Sequence, residues 1–163
     1  MANNTSKTSE ISLMDIVIQT LDECEIHFTR HESNGDTLVA QFSGDVASKT
    51  LFISVDEGKN FRVFVSAVHA PAHKRAEIAE YITRANWGLR FGCFEMDYSD
   101  GEIRYRYAVD VEDGVVSTEM VRSGIFLTLI TYDRYLPGIF RVIYGNEAPA
   151  AVIDEIENES NDD

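Results

Sequence analysis

Apolar residues recur at the spacing of a helix face in three stretches of the chain. The first stretch runs from about Leu13 to Cys24, and the second begins near Pro71, a residue favoured at the first position of a helix. The third stretch starts near Ser117 and continues to Ile143. We expect a kink or a break at Pro137 inside it, because proline lacks the amide hydrogen that a helix needs.

Between the first two helices the chain alternates apolar and polar residues with a period of two, which predicts half-buried strands. Short clusters of turn-forming residues separate these runs, so the pattern favours an antiparallel meander. The first run is weakly patterned, and the region therefore predicts three or four strands. The runs cover residues 26–31, 38–43, 50–55 and 61–68.

A second alternating region, residues 93–109, predicts a β-hairpin. Asp100-Gly101 lies between its two halves and is typical of a two-residue turn, in which both central residues adopt positive φ angles. That turn would set the register and would separate an apolar face from a charged face. The expected cross-strand pairs are Tyr98 with Ile103, Met96 with Tyr105, Phe94 with Tyr107, Asp97 with Arg104, and Glu95 with Arg106.

Together these elements predict an α+β domain in which helices pack on an antiparallel sheet, in the order α-β-β-β(-β)-α-β-β-α. We expect residues 1–10 to be a disordered segment and residues 11–147 to form a single domain. Residues 148–163 are expected to be an acidic, disordered tail. From Asp154 onward the chain carries six acidic residues and no basic one, a composition that opposes packing.

The sequence carries 28 acidic and 14 basic residues in a total of 163, which gives a formal net charge of −14. Nucleic acid is disfavoured as a partner because phosphate binding needs a basic surface, and an anionic membrane surface is disfavoured for the same reason. Cys24 and Cys93 lie far apart and do not indicate a disulfide framework. Residues 1–10 contain no apolar leader, and we expect a cytoplasmic protein.

No catalytic, metal-binding or cofactor-binding motif stands out, so we expect a protein that is not an enzyme and uses neither a metal nor a cofactor. His69 and His73 are four residues apart, but Pro71 between them disfavours a helical metal site. The hairpin is rich in carboxylates, which turn formation and strand pairing explain better than acid–base catalysis does. These carboxylates are Asp97, Asp100, Glu102 and Asp110.

The end of the central helix and the hairpin carry a set of residues that resembles the motifs of a known family. A run of residues later in the chain belongs to the same set. The set comprises Asn86, Leu89, Phe91-Gly92, Phe94-Glu95, Asp97, Asp100-Gly101-Glu102, Arg104 and the run Asp133 to Pro137. From roughly Leu13 to Ile143 the chain resembles the YbjN family of bacterial sensory-transduction regulators. The resemblance implies a fold similar to type III secretion chaperones, units that often dimerise and hold protein segments. It implies no reaction and no catalytic residue.

Several aromatic residues exceed what one core needs, and exposed aromatic side chains mark protein-binding surfaces. The candidate partner-binding residues are Trp87, Phe91, Tyr132, Tyr135 and Phe140. We therefore expect a non-enzymatic protein-interaction module, chaperone-like or regulatory, that forms a homodimer and binds a protein partner in signalling or secretion. The alternative is a small-molecule-sensing domain with a pocket between the third helix and the sheet.

Overall fold

The computed structural model describes residues 11–44, 46–56, 60–111 and 115–158. These residues form six strands and four α-helices, with a short 3₁₀ turn at Ala72–Lys74. The helices are α1 (Leu13–Glu23), α2 (Arg75–Gly88), α3 (Thr118–Tyr144) and α4 (Pro149–Asn158). The strands are β1 (Phe28–His31), β2 (Asn34–Phe42), β3 (Lys49–Asp56), β4 (Asn60–His69), β5 (Cys93–Met96) and β6 (Glu102–Asp110).

The six strands form one antiparallel sheet in the order β1-β2-β3-β4-β6-β5. Helix α3 packs against β4 and β6, α2 packs against β5, α1 packs on α3, and α4 packs on both α2 and α3. Alternate residues of the central strands, such as Ile53, Val63 and Tyr105, are buried in the core. The opposite face carries the half-buried Phe52 and Phe64, whose rings stack at 4.7 Å. The predicted α+β class is therefore confirmed.

Helix starts follow the local sequence. The Ser12 hydroxyl accepts a hydrogen bond from the Asp15 amide at 3.1 Å, and the Asp15 carboxylate accepts one from the Ser12 amide at 3.2 Å. This capping box satisfies amides that the first turn of α1 leaves free. The Ser117 hydroxyl caps α3 in the same way by accepting from the Met120 amide at 3.2 Å.

The predicted hairpin forms, but its register is shifted by two residues. The predicted backbone pairs were therefore wrong, although the expected ion pair between Glu95 and Arg106 does form. A loop of residues 97–101 replaces the two-residue turn. The Asp97 carboxylate accepts hydrogen bonds from the amide and the hydroxyl of Ser99, and Gly101 adopts a φ of 86°. A two-residue turn would also need a positive φ at Asp100, and the longer loop avoids that strain. The observed pairs are Cys93 with Arg106, Phe94 with Tyr105, Glu95 with Arg104, and Met96 with Ile103.

Because the shift is even, every hairpin side chain keeps the sheet face that the alternation predicts. Phe94 and Tyr105 lie in the core, and Glu95 and Arg104 lie on the open face. The Glu95 carboxylate accepts from both Arg104, at 3.3 Å, and Arg106. The charged residues therefore still align the two strands, through one shared glutamate in place of two separate pairs.

Helix α3 is continuous from Thr118 to Tyr144, so of the kink or break expected at Pro137, the break does not occur. Pro137 is exposed, whereas its neighbours Leu136 and Ile139 are 1% and 0% exposed. Burial of the flanking residues holds the helix together across the proline, because most helical stability in proteins comes from packing of the apolar face.

Residues 149–158 of the predicted disordered tail form α4, so the tail prediction was wrong over this range. Val152 and Ile153 are 0% and 4% exposed and belong to the core. The prediction from the number of acidic residues overlooked these apolar residues of α4, which pack against α2 and α3. On the outer side, Arg141 binds Glu155 at 2.6 Å, so one of the tail's acidic residues is paired. The expected disordered segment at residues 1–10 lies outside the described residues, as do residues 159–163.

Candidate functional site

Two of the predicted partner-binding residues belong to the core. Tyr132 and Tyr135 are 0% and 2% exposed, so neither side chain offers a surface to a partner. The Tyr132 hydroxyl accepts a hydrogen bond from the Ala67 amide at 3.0 Å, and Tyr135 lies edge-on to Phe94 with ring centres 5.6 Å apart. The prediction was wrong for these two residues, because α3 turns both of them towards the sheet and α2.

The other predicted residues reach the surface to different extents. Trp87, in the last turn of α2, is 94% exposed, and Phe91, in the loop before β5, is 57% exposed. Phe140 is half-buried and stacks against Tyr144 with ring centres 5.9 Å apart. Trp87 and Phe91 lie four residues apart at the same end of the molecule, and they remain candidates for partner binding.

An open, mostly apolar groove lies beside Phe91, between the start of α3 and the end of the sheet. We call it the α3 groove, and its volume is about 370 Å³. Gly124 lets α3 approach the sheet closely here, because a methyl group at this position would lie 2.9 Å from the Tyr107 ring. The groove is lined by Phe91, Tyr107, Glu119, Met120, Ser123 and Leu127.

One wall of the groove continues along α3 as a set of exposed apolar residues, which we call the α3 stripe. Its members, Met120, Phe126, Leu127 and Ile130, are between 36% and 65% exposed. The pattern of the sequence alone did not predict that these residues form a surface. The available signal was an α3 segment that is apolar around most of its circumference, since such a helix cannot bury every side. Only packing against the sheet reveals which side is left open.

An ion-pair chain borders the groove. Arg122 donates to Glu119 at 2.9 Å and to Glu23, at the end of α1, at 3.0 Å. Hydrogen bonding to Cys24 and the two carboxylates raise the pKa of Arg122. One cation therefore faces two carboxylates, and this cluster beside the start of α3 carries one negative charge in excess.

The hairpin carboxylates serve structural hydrogen bonds. The two Ser99 hydrogen bonds hold the pKa of Asp97 below its usual value. Burial raises the pKa of Glu95, but hydrogen bonds and charge from Arg106 and Arg104 outweigh burial, and the net pKa is lowered. A general acid needs a raised pKa, so both shifts run opposite to that role. Glu95, Asp97, Glu102 and Arg104 line a partly enclosed hollow of about 180 Å³.

The lowered pKa of Glu95 makes a pH-dependent contribution to stability. Because the folded-state pKa lies below the unfolded value, the stabilisation is present above pH of about 4.3 and is lost as the pH falls through the folded pKa. We expect Glu95→Gln to lower the free energy of unfolding by about 1 kcal/mol at pH 7. The difference from wild type should shrink in urea titrations below pH of about 4.

Glu80→Gln provides the control for this prediction. Glu80 pairs with Arg84 at 2.8 Å on the exposed side of α2, where both side chains are nearly half exposed. Its loss should change stability by only about 0.3–0.5 kcal/mol. A Glu95→Gln difference that stays constant from pH 7 to pH 3 would contradict the structural role assigned to Glu95.

Among the described residues, no three His, Cys, Asp or Glu side chains come together as a metal site. Cys24 and Cys93 are both free and half-buried. Within the same residues, no helix has the length and apolar character needed to cross a bilayer.

The fold and the site define a small α+β domain in which helices cover a six-stranded antiparallel sheet and leave an apolar groove open. The chain belongs to the YbjN family, whose model matches residues 14–141 and is described as "Putative bacterial sensory transduction regulator". This match confirms the resemblance found in the sequence. No curated protein matches the chain.

The crystal structure of YbjN from E. coli, described as a "putative transcription regulator", is similar to this chain in fold. The two share 12% sequence identity with a TM-score of 0.58, and the match covers 76% of this chain and 88% of that chain. At this identity the likeness concerns the fold alone.

Family motif residues make specific structural contacts in this chain. The Asn86 side chain donates to the Phe94 carbonyl at 3.0 Å and accepts from the Phe94 amide at 2.7 Å. It therefore satisfies both backbone groups of Phe94 in the edge strand β5. Asp133 on α3 pairs with Lys49, a β3 residue whose side chain is only 4% exposed. One contact ties α2 to the sheet edge, and the other ties α3 to β3.

Proposed function

We propose that this protein is a non-enzymatic regulatory module that binds a protein partner through the α3 groove. The observation that carries the proposal is an exposed apolar surface formed by Phe91 and the α3 stripe. Exposed aromatic and aliphatic clusters are typical of protein interfaces. The family description, a regulator of sensory transduction, is compatible with this role.

A non-enzymatic role agrees with how the hairpin uses its ionisable groups. Glu95 is shared between two arginines, and Asp97 is held by Ser99. Both carboxylates line the same partly enclosed hollow, but their pKa values are lowered, whereas a general acid needs a raised pKa. These contacts support a structural role for the hairpin charges.

A small-molecule sensor is the second candidate function, and the location of the groove between α3 and β6 favours it. A ligand site, however, is usually concave and holds a few converging polar groups. The α3 groove is open, and Glu119 and Ser123 supply its polar side chains. Its shape and lining therefore support a protein surface better than a small ligand. The homodimer expected from the sequence would, in this proposal, use a contact outside the groove.

Site-specific photo-crosslinking in cells tests the proposal. A benzoylphenylalanine residue at position 91 should form a defined adduct with another protein, because this side chain faces the groove. Tyr98 is the matched control position, since it is 59% exposed compared with 57% for Phe91 but lies at the other end of β5. The position-91 adduct should disappear when Leu127→Glu is present in the same chain.

Two outcomes would contradict the proposal. Equal adducts from positions 91 and 98 would mean that the groove has no special role. An adduct between two copies of this chain would identify the groove as a homodimer contact in place of a regulatory binding site.

A further inference from the structure

We propose that the α3 groove receives an amphipathic helix of the partner, with an apolar face and basic flanking residues. This inference rests on the proposed function and adds the chemistry of the partner segment. Three observations carry it: the shape of the apolar surface, the blocked edge of β5, and the charge at the groove rim.

The shape of the surface suits a helix. Met120 and Ile130 stand ten positions apart on α3, which corresponds to about 15 Å along the helix axis. Phe91 forms the opposite wall, so the apolar floor is bordered on two sides. An amphipathic helix of about three turns would lay its apolar residues along such a groove at positions i, i+3, i+4 and i+7.

A strand-like partner is disfavoured by the state of the nearest sheet edge. Strand addition needs free backbone amides and carbonyls on an edge strand. At β5, which directly follows the Phe91 loop, the Asn86 side chain already binds both the amide and the carbonyl of Phe94. A partner strand beside the groove would therefore find the amide and carbonyl of Phe94 already occupied, whereas a helix satisfies its own backbone and fits better.

The charge of the rim selects a basic partner over a second copy of this chain. Arg122 is shared by Glu119 and Glu23, which leaves one negative charge in excess, and the Glu119 side chain is 72% exposed. The whole chain carries a formal net charge of −14. Two copies meeting at this rim would repel each other, whereas lysine or arginine beside the apolar face of a partner helix would be attracted.

Three synthetic peptides test the proposal on the full chain by fluorescence anisotropy. Each has 16 residues. The first is built from leucine, alanine and lysine with leucines at i, i+3, i+4 and i+7, the second scrambles this composition, and the third replaces lysine with glutamate. We expect the first to bind, and the other two to bind at least about tenfold more weakly. The Leu127→Glu substitution should weaken binding of the first peptide by about the same factor.

Tyr144→Glu is the control variant, because Tyr144 is 72% exposed on the same helix and lies about 25 Å from Leu127. It should leave binding unchanged. Equal binding of the first two peptides, equal binding of the acidic peptide, or an unaffected Leu127→Glu variant would each overturn the inference. So would a wild-type dimer in sedimentation velocity that Leu127→Glu dissociates, since the groove would then hold a second copy.

The results also separate this inference from the proposed function. If position 91 crosslinks to a partner while no peptide binds selectively, the groove binds protein but not a basic helix. If neither the crosslink nor selective peptide binding occurs, both proposals are wrong.

Discussion

Replacing Gly101 with alanine will destabilise the protein by more than about 3 kcal/mol. Two effects combine at this position. Gly101 has a φ of 86°, a conformation that costs an alanine about 1–2 kcal/mol. In addition, an alanine Cβ would lie 2.1 Å from the Ala70 carbonyl oxygen, so the backbone at the end of β4 would have to move.

The same displacement would disturb the hairpin loop. The Ala70 amide donates to the Gly101 carbonyl at 2.7 Å, and the Gly101 amide donates to the Asp97 carbonyl at 2.7 Å. These hydrogen bonds hold the loop against the segment that leads into α2. Their loss adds to the steric cost, because a buried backbone group without a partner is unfavourable.

Urea unfolding of three variants measures the effect and separates its causes. Gly35→Ala is the control, because nothing lies within 4 Å of a methyl group there, and it should stay within about 0.5 kcal/mol of wild type. Gly101→Asn should recover only a small part of the loss, since asparagine tolerates a positive φ but still carries a Cβ. A Gly101→Ala protein as stable as Gly35→Ala would contradict the packing described here.

The second large effect is expected at Phe94, and Phe94→Ala should cost about 3–5 kcal/mol. The Phe94 side chain is 3% exposed and is surrounded by three tyrosine rings. Its ring centre lies 5.0 Å from that of Tyr105, 5.6 Å from that of Tyr135 and 6.1 Å from that of Tyr132. Because these partners come from β6 and α3, the cavity would weaken the contact between hairpin and helix.

Thermal unfolding provides the measurement, with a decrease in Tm of roughly 6–20 °C expected for Phe94→Ala. Phe126→Ala is the matched control, because this phenylalanine is 42% exposed on α3 and belongs to the open stripe. Its truncation should change stability by no more than about 0.5 kcal/mol. Equal losses for the two variants would show that the division between core and open surface is wrong.

Local pattern was enough to predict most elements of this fold. The helix at Leu13–Glu23 and the α+β class follow from helical spacing and from alternation in the strands. Alternation also predicted the correct face for Phe94 and Glu95, because side-chain direction in a strand depends only on parity. The family resemblance rests on the same local residues, which form turns and packing contacts.

The register of the hairpin and the helical structure of the tail could not be predicted from local pattern. The hairpin register depends on how the loop at 97–101 satisfies its own backbone, and Asp97 joined the loop because its carboxylate binds Ser99. The acidic tail became α4 because α2 and α3 offered a surface to Val152 and Ile153. The acidic composition of the tail describes its charge, whereas its packing depends on which way its few apolar side chains face.

The candidate site shows the same division. The sequence by itself determined that the chain carries surplus aromatic residues, among them Trp87 and Phe91. Only the tertiary structure decided that Tyr132 and Tyr135 are buried and that Met120 and Leu127 remain open beside Phe91. The physical reason is that exposure is a property of the assembled layers. Only one side of α3 can pack on the sheet. The orientation of α3 that buries Tyr132 and Tyr135 leaves the α3 stripe exposed to solvent.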